Sequence, residues 1–123
     1  MEKVHTDNAP AAIGPYSQAV IANGLVYSSG QIPINPASGK IEAEGIEAQT
    51  EQAIKNLSAV LEEAGTNISK AIKTTCFLMN MGDFGAFNEV YAKHFTGKPA
   101  RSCVEVSNLP KGALVEIEVI AEI

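Results

Sequence analysis

Positive charge is the scarcest commodity in this sequence. Nine lysines and arginines face 14 aspartates and glutamates, for a net charge of −5 and a pI near 4.9. The densest basic stretch is only SKAIK. A nucleic-acid surface needs clustered Lys and Arg to displace the counterions of phosphates, so this composition argues against one. No apolar run approaches the ~20 residues needed to span a bilayer. The N-terminal MEKVHTDNAP has no signal-peptide hydrophobic stretch, and the expectation is a cytoplasmic protein without a membrane anchor. The two cysteines, Cys76 and Cys103, fit free thiols in a reducing compartment better than a disulfide. His5 and His94 are far apart and neither belongs to a ligand-spaced motif, so no metal is expected. Internal repeats, low-complexity segments and linkers are also absent.

What remains is a globular composition. The 123 residues, 46% hydrophobic and 19% charged, fit one domain over 1–123 that buries about two-thirds of its unfolded surface. The apolar share is slightly more than a monomer requires, which suggests self-association. SQAVIANGLVYSSGQIP places two apolar-rich runs around Asn23-Gly24, a dipeptide suited to the positive φ angles of a tight hairpin turn. PINPASGKIEAEG, with two prolines and two glycines, reads as an exposed loop with a short bridge near Lys40-Ile41. Apolar positions at three- and four-residue spacing predict a helix over Ile46–Ala64, stopped by Gly65.

AIKTTCFLMNM has no polar face and predicts a strand covered on both sides. A second helix follows, with Asp83 at its N-cap and a core stripe of Phe84, Phe87, Tyr91 and Phe95. Two strands close the chain, RSCVEVS and ALVEIEVIAEI, joined by a turn around Leu109–Gly112. The expected fold class is α+β, two layers in the order β-β-α-β-α-β-β with both helices on one sheet face.

Strand alternation sorts the polar residues. In the last strand Val115, Ile117, Val119 and Ala121 belong under the helices, which sends Glu116, Glu118 and Ile120 to the other face. In the strand before it, Cys103 and Glu105 share the face of Arg101. We place that set on the uncovered side as well, with Arg101 at its edge. Arg101 then either neutralises Glu105 or Glu116 in a structural pair, or receives an anion from outside. Three such half-apolar faces could close into a barrel and place the charges in clefts between subunits. There a guanidinium would offer paired planar donors to a carboxylate, and Glu116 or Glu118 could act on water as a general base.

The stretch PARSCVEVSNLPKGALVEIEV closely resembles the signature of the RidA/YjgF reactive-intermediate deaminase family, and APAAIGPYSQAV, YSSGQIP and FNEVYAKHF match its other characteristic segments. The resemblance spans nearly the whole chain. It implies a chorismate-mutase-like fold, a homotrimer with a central β-barrel, and three intersubunit clefts that work without cofactor or metal. It also implies hydrolysis of 2-imino acids and their enamines, chiefly 2-iminobutanoate and 2-iminopropanoate, to 2-keto acids and ammonia.

Residue by residue, the resemblance makes Arg101 the carboxylate clamp and Glu116 the acid that orients or activates water, helped by the backbone carbonyl of Cys103. Tyr16 would flank the substrate, Gly30 would lend a backbone N–H, and Asn88 would approach from the helix. The segment between Phe95 and Pro99 is shorter than in many relatives, so the rim leading to Arg101 departs from the family pattern. For these residues the plainer readings are an aromatic packed beside a proline turn for Tyr16, a surface amide for Asn88 and a buried thiol for Cys103; Glu118 stays structural. A non-enzymatic trimer that senses 2-keto acids, regulates a partner or acts as a holdase is the alternative to the enzyme, and Glu116 discriminates the two, since a binder has no use for a water-activating acid.

Overall fold

The computed structural model describes all 123 residues, Met1–Ile123. Three strands precede the first helix: β1 (Glu2–Val4), β2 (Ala19–Ala22) and β3 (Leu25–Ser28). Asn23 and Gly24 take φ angles of 52° and 77°, the paired left-handed geometry of a two-residue hairpin, and Ala22 sits opposite Leu25 as that turn requires. Strand β1 is a correction to the expected order, which becomes β-β-β-α-β-α-β-β. Its three residues bury only Val4, too little for alternation to register, yet they pair with β2 from Glu2↔Ile21 to Val4↔Ala19.

Helix α1 (Gly45–Glu63) buries Ala53, Ile54, Leu57, Val60 and Leu61 along one stripe. It ends where Gly65, at φ 91°, turns the chain so that its N–H reaches Glu62 O and that of Thr66 reaches Leu61 O, both at 3.0 Å; these two bonds satisfy carbonyls the helix leaves open. Strand β4 (Ala71–Leu78), helix α2 (Phe84–His94) and strand β5 (Ala100–Glu105) form a crossover unit whose two strands are parallel, and β6 (Val115–Glu122) completes the sheet. The strand order is β1-β2-β3-β6-β4-β5. Every other pairing is antiparallel. Asp83 precedes α2 without a side-chain cap; the capping amide is Asn80, which accepts from Gly82 N–H in the preceding 3-10 turn.

The core lies between the sheet and both helices. Val115, Ile117, Val119 and Ala121 of β6 are buried there with Cys76 and Leu78 of β4 and with Leu57, Leu61, Phe87 and Val90 of the helices. Strand β4 is covered on one side only: Thr74, Cys76 and Leu78 are buried while Lys73, Thr75 and Phe77 are half-buried. The sheet's second face is open. Phe77 stands beside Glu116, Thr75 beside Glu118 and Tyr27 beside Ile120.

The register of β5 overturns one placement. Arg101 pairs with Thr74 and Cys103 with Cys76, so Arg101, Cys103 and Glu105 lie on the helix side of the sheet, opposite Glu116 and Glu118. Parity within a strand tells which residues share a face, and only pairing with β4 tells which face that is.

Asn56 ties the loop after β3 to this frame. Fully buried, it donates to Ile32 O at 3.0 Å and Ile34 O at 2.9 Å and accepts from Gln52 Nε2 at 2.9 Å. Asn56→Leu keeps a similar volume but strips Ile34 O of its amide donor, leaves Ile32 O with the Ile34 N–H alone and takes the acceptor from Gln52. We expect a loss of about 2–4 kcal/mol in urea unfolding, the usual cost of orphaned buried polar groups; an unchanged midpoint would show that water replaces the amide.

Candidate functional site

Arg101 opens edge strand β5 with its guanidinium directed over helix α2. Its Nη1 donates to Asn88 Oδ1 at 2.7 Å, and its central carbon lies 4.8 Å from the ring centre of Tyr91, 5.5 Å from Phe84 and 6.0 Å from Phe87. Neither acid considered as its partner is used. Glu105 accepts the Met81 N–H at 2.8 Å, and Glu116 is across the sheet. No Lys or Arg of the chain lies within salt-bridge distance of a carboxylate; the acid–base contacts are those of His5 with Asp7 and of His94 with Glu51. Arg101 is therefore a half-buried cation with no anion in its own chain, held in place by a neutral amide and three rings. It lines a cavity of about 480 Å³ with Asn88, Tyr91, Phe95, Lys98 and Pro99.

Asn88 thus faces Arg101 and is no idle surface amide. Cys103 belongs to the same cluster, two residues along β5. Burial raises its thiol pKa, with Arg101 pulling the other way. The Cys76 thiol beside it is pushed up to about 12, mainly by burial. Burial thus disfavours the thiolate at both sulfurs.

Glu116 anchors a second cluster on the open face. Gln31 and Ile117 exchange backbone hydrogen bonds of 2.8 and 3.1 Å, an isolated bridge that brings Gly30 against β6 beside Glu116. A side chain at position 30 would displace Glu116: a Cβ there would lie 2.7 Å from Glu116 Cδ and 2.9 Å from its Cγ. Tyr16, 54% exposed, follows Gly14, whose φ of 122° lets the Tyr16 N–H fold back to Gly14 O at 2.9 Å. Ser29 Oγ donates to Ser17 O at 2.5 Å and closes the turn onto β3. Tyr16, Gly30, Gln31 and Glu116 line a cavity of about 590 Å³, together with Ile13 and Ile32. The Glu116 carboxyl has its pKa raised, first by burial and then by the negative charge of Glu118 two residues away.

The six residues singled out from the sequence fall into two groups of three. Tyr16, Gly30 and Glu116 meet on one side of the sheet, Asn88, Arg101 and Cys103 on the other. One group holds a carboxyl of raised pKa, the other a cation held by neutral groups. Phe84, Phe87 and Tyr91 read from the sequence as core alone; in the structure they also cup the guanidinium. The available signal was the three-residue step from Asn88 to Tyr91, which puts both on the helix face that meets β5. A larger cavity of about 790 Å³ between α1 and the N-terminal segment, lined by Asp7, Lys55, Glu62 and Glu63 among others, holds none of the six.

Comparison with known proteins agrees with this architecture. A family model described as endoribonuclease L-PSP matches residues 6–123. A protein of Lactococcus lactis named putative regulator AldR is 56% identical over 124 residues, covering 100% of this chain and 98% of that one. The chloroplastic reactive intermediate deaminase A of Arabidopsis thaliana is 48% identical over 121 residues, 98% of this chain and 65% of that one. A crystal structure of YyfA from Yersinia pestis, described as a protein of unknown function of the conserved Rid family, superposes with a TM-score of 0.96 at 56% identity, covering 99% and 98% of the two chains. With this sheet order, these two residue clusters and near-complete matches of this kind, the chain belongs to the RidA/YjgF family.

Proposed function

We propose that this protein hydrolyses reactive 2-imino acids, 2-iminobutanoate and 2-iminopropanoate among them, to 2-keto acids and ammonia. The observation that carries the reading is the division just described: an uncompensated Arg101 and an acid of raised pKa, Glu116, on opposite faces of one sheet. A site that uses both takes them from two chains. A homotrimer in which the open faces close into a central barrel would bring the Arg101 cluster of one protomer to the Glu116 cluster of the next, giving three clefts.

In such a cleft Arg101 grips the substrate carboxylate with two parallel N–H donors, which fixes the plane of the conjugated imine. Gly30, bare of a side chain, lets the substrate approach its backbone. The protonated imine carbon is already electrophilic, so chemistry needs position and one base. Glu116 takes a proton from water as its oxygen bonds to that carbon. The same carboxyl returns that proton to nitrogen, and as the carbon–nitrogen bond breaks the new hydroxyl gives its proton to the carboxylate, so that ammonia leaves and the carbinol becomes the keto acid. Cys103 contributes its backbone carbonyl, and Tyr16 flanks the substrate.

Two other readings follow from the names of relatives. An endoribonuclease would have to bind a polyanion at net charge −5 without a basic cluster, which the electrostatics oppose. A regulator that only senses keto acids would need Arg101 but gains nothing from the pKa of Glu116.

Mixing tests the two-chain site. Arg101→Ala and Glu116→Gln should each be nearly inactive in a coupled threonine dehydratase assay with semicarbazide trapping of the imine. Unfolded together and refolded at equal amounts, they should recover about a quarter of wild-type activity, because random assembly reunites intact halves at that frequency. No recovery in well-formed mixed oligomers would place the whole site in one chain.

The acid limb of kcat/KM should lie above the ordinary glutamate range, since Glu116 must be ionised to accept a proton and its pKa is raised. Glu118→Gln removes the neighbouring negative charge that disfavours ionisation, so the limb should move to lower pH. A limb that stays in place would mean that Glu116 is not the titrating base.

Asn88→Asp gives Arg101 an internal carboxylate at hydrogen-bonding distance. Calorimetry should then show 2-ketobutyrate binding weakened at least about tenfold while the melting temperature holds or rises, because the new ion pair competes with the ligand. Undiminished binding would mean that the ligand carboxylate is held elsewhere.

A further inference from the structure

Behind Arg101 the contacts form a closed ring. Strand pairing sets Arg101 directly beside Thr74. The Thr74 hydroxyl shares a 2.7 Å hydrogen bond with the Tyr91 hydroxyl, both residues being buried. The Tyr91 ring in turn lies 4.8 Å under the Arg101 guanidinium, whose free edge is held by Asn88. Tyr91 is itself clamped between neighbours, stacked on Phe95 at 4.3 Å and tilted against Phe87 at 5.6 Å. Phe84, at the first turn of α2 and only partly buried, adds a second face at 5.5 Å.

We propose that Tyr91 is a positioning residue for the carboxylate clamp: its π-face, seated between Phe87 and Phe95, holds the Arg101 guanidinium in its ligand-ready plane before any ligand arrives. This rests on Arg101 being the anchor proposed above. An arginine at a strand edge has many rotamers, and ordering it on binding would weaken the complex. Here the ordering is done within the fold. A carboxylate in place of the aromatic cup would order the guanidinium too, but would cancel the charge that the ligand needs. Rings and an amide order it with no formal charge of their own.

Four variants and two ligands test the proposal. Tyr91→Phe keeps the π-face and loses only the hydroxyl, so its affinity for 2-ketobutyrate should stay within about threefold of wild type. Tyr91→Leu keeps apolar volume and loses the π-face, and its affinity should fall about tenfold, the scale of a desolvated cation–π contact. In turnover the same variant should raise KM and leave kcat within about twofold, the mark of lost uniform binding.

The uncharged 2-oxobutanamide has no carboxylate for Arg101, and its weak binding should be equal in wild type and Tyr91→Leu. If Tyr91→Leu does not fold, Phe84→Leu removes the less buried ring and should weaken 2-ketobutyrate binding about threefold. Undiminished keto-acid affinity in the folded leucine variants, or parallel loss of both ligands, would overturn the proposal. Arg101→Ala separates the two readings. If it abolishes binding while the leucine variants do not weaken it, the cup alone fails; if it binds like wild type, the anchor fails and the cup with it.

Discussion

The burial of Val115, Ile117, Val119 and Ala121 beneath both helices dictates where Glu116 goes. Strand β6 lies inside the sheet between β3 and β4, and its inner face is sealed by the core. A strand offers only two directions, so the alternate residues Glu116 and Glu118 point to the open side with no helix above them. There they are close enough to repel and sheltered enough to feel it. The raised pKa of Glu116 is thus a by-product of the same alternation that packs the core. Shifting β6 by one residue would drive acids into the core, so fold stability also guards the position of the acid.

The sheet acts as a spacer between opposite charges. A cation on the face of Glu116 would favour its ionised form and lower its pKa, and an ion pair there would occupy the cation. On opposite faces each keeps the character that the proposed reaction requires. The cation is ordered by neutral groups, and the acid remains a weak one.

Much of this could be read from the chain. Asn23-Gly24 announced the hairpin because few dipeptides accept two positive φ angles, and the spacing from Ile46 to Ala64 announced α1 because only a helix gathers those residues on one stripe. The alternation in β6 located Glu116 correctly. What stayed hidden was relational. Strand β1 is too short to carry a pattern. The face of Arg101 depends on a parallel partner reached through a whole helix, and no local signal in PARSCVEV carries that information. The aromatic stripe on α2 was legible as core, while its second duty under Arg101 needed the register of β5 against β4.

The contact between Gly30 and Glu116 makes these two positions one unit of inheritance. A methyl group at position 30 would collide with Cγ as well as with the carboxyl carbon. Shortening the acid to aspartate therefore gives no relief, since its remaining Cγ occupies the crowded place. No single step lets position 30 drift while the acid stays where it is. In any descendant of this sequence, a residue other than glycine at position 30 would be a written record that the side chain of the acid on β6 has moved, legible without a structure.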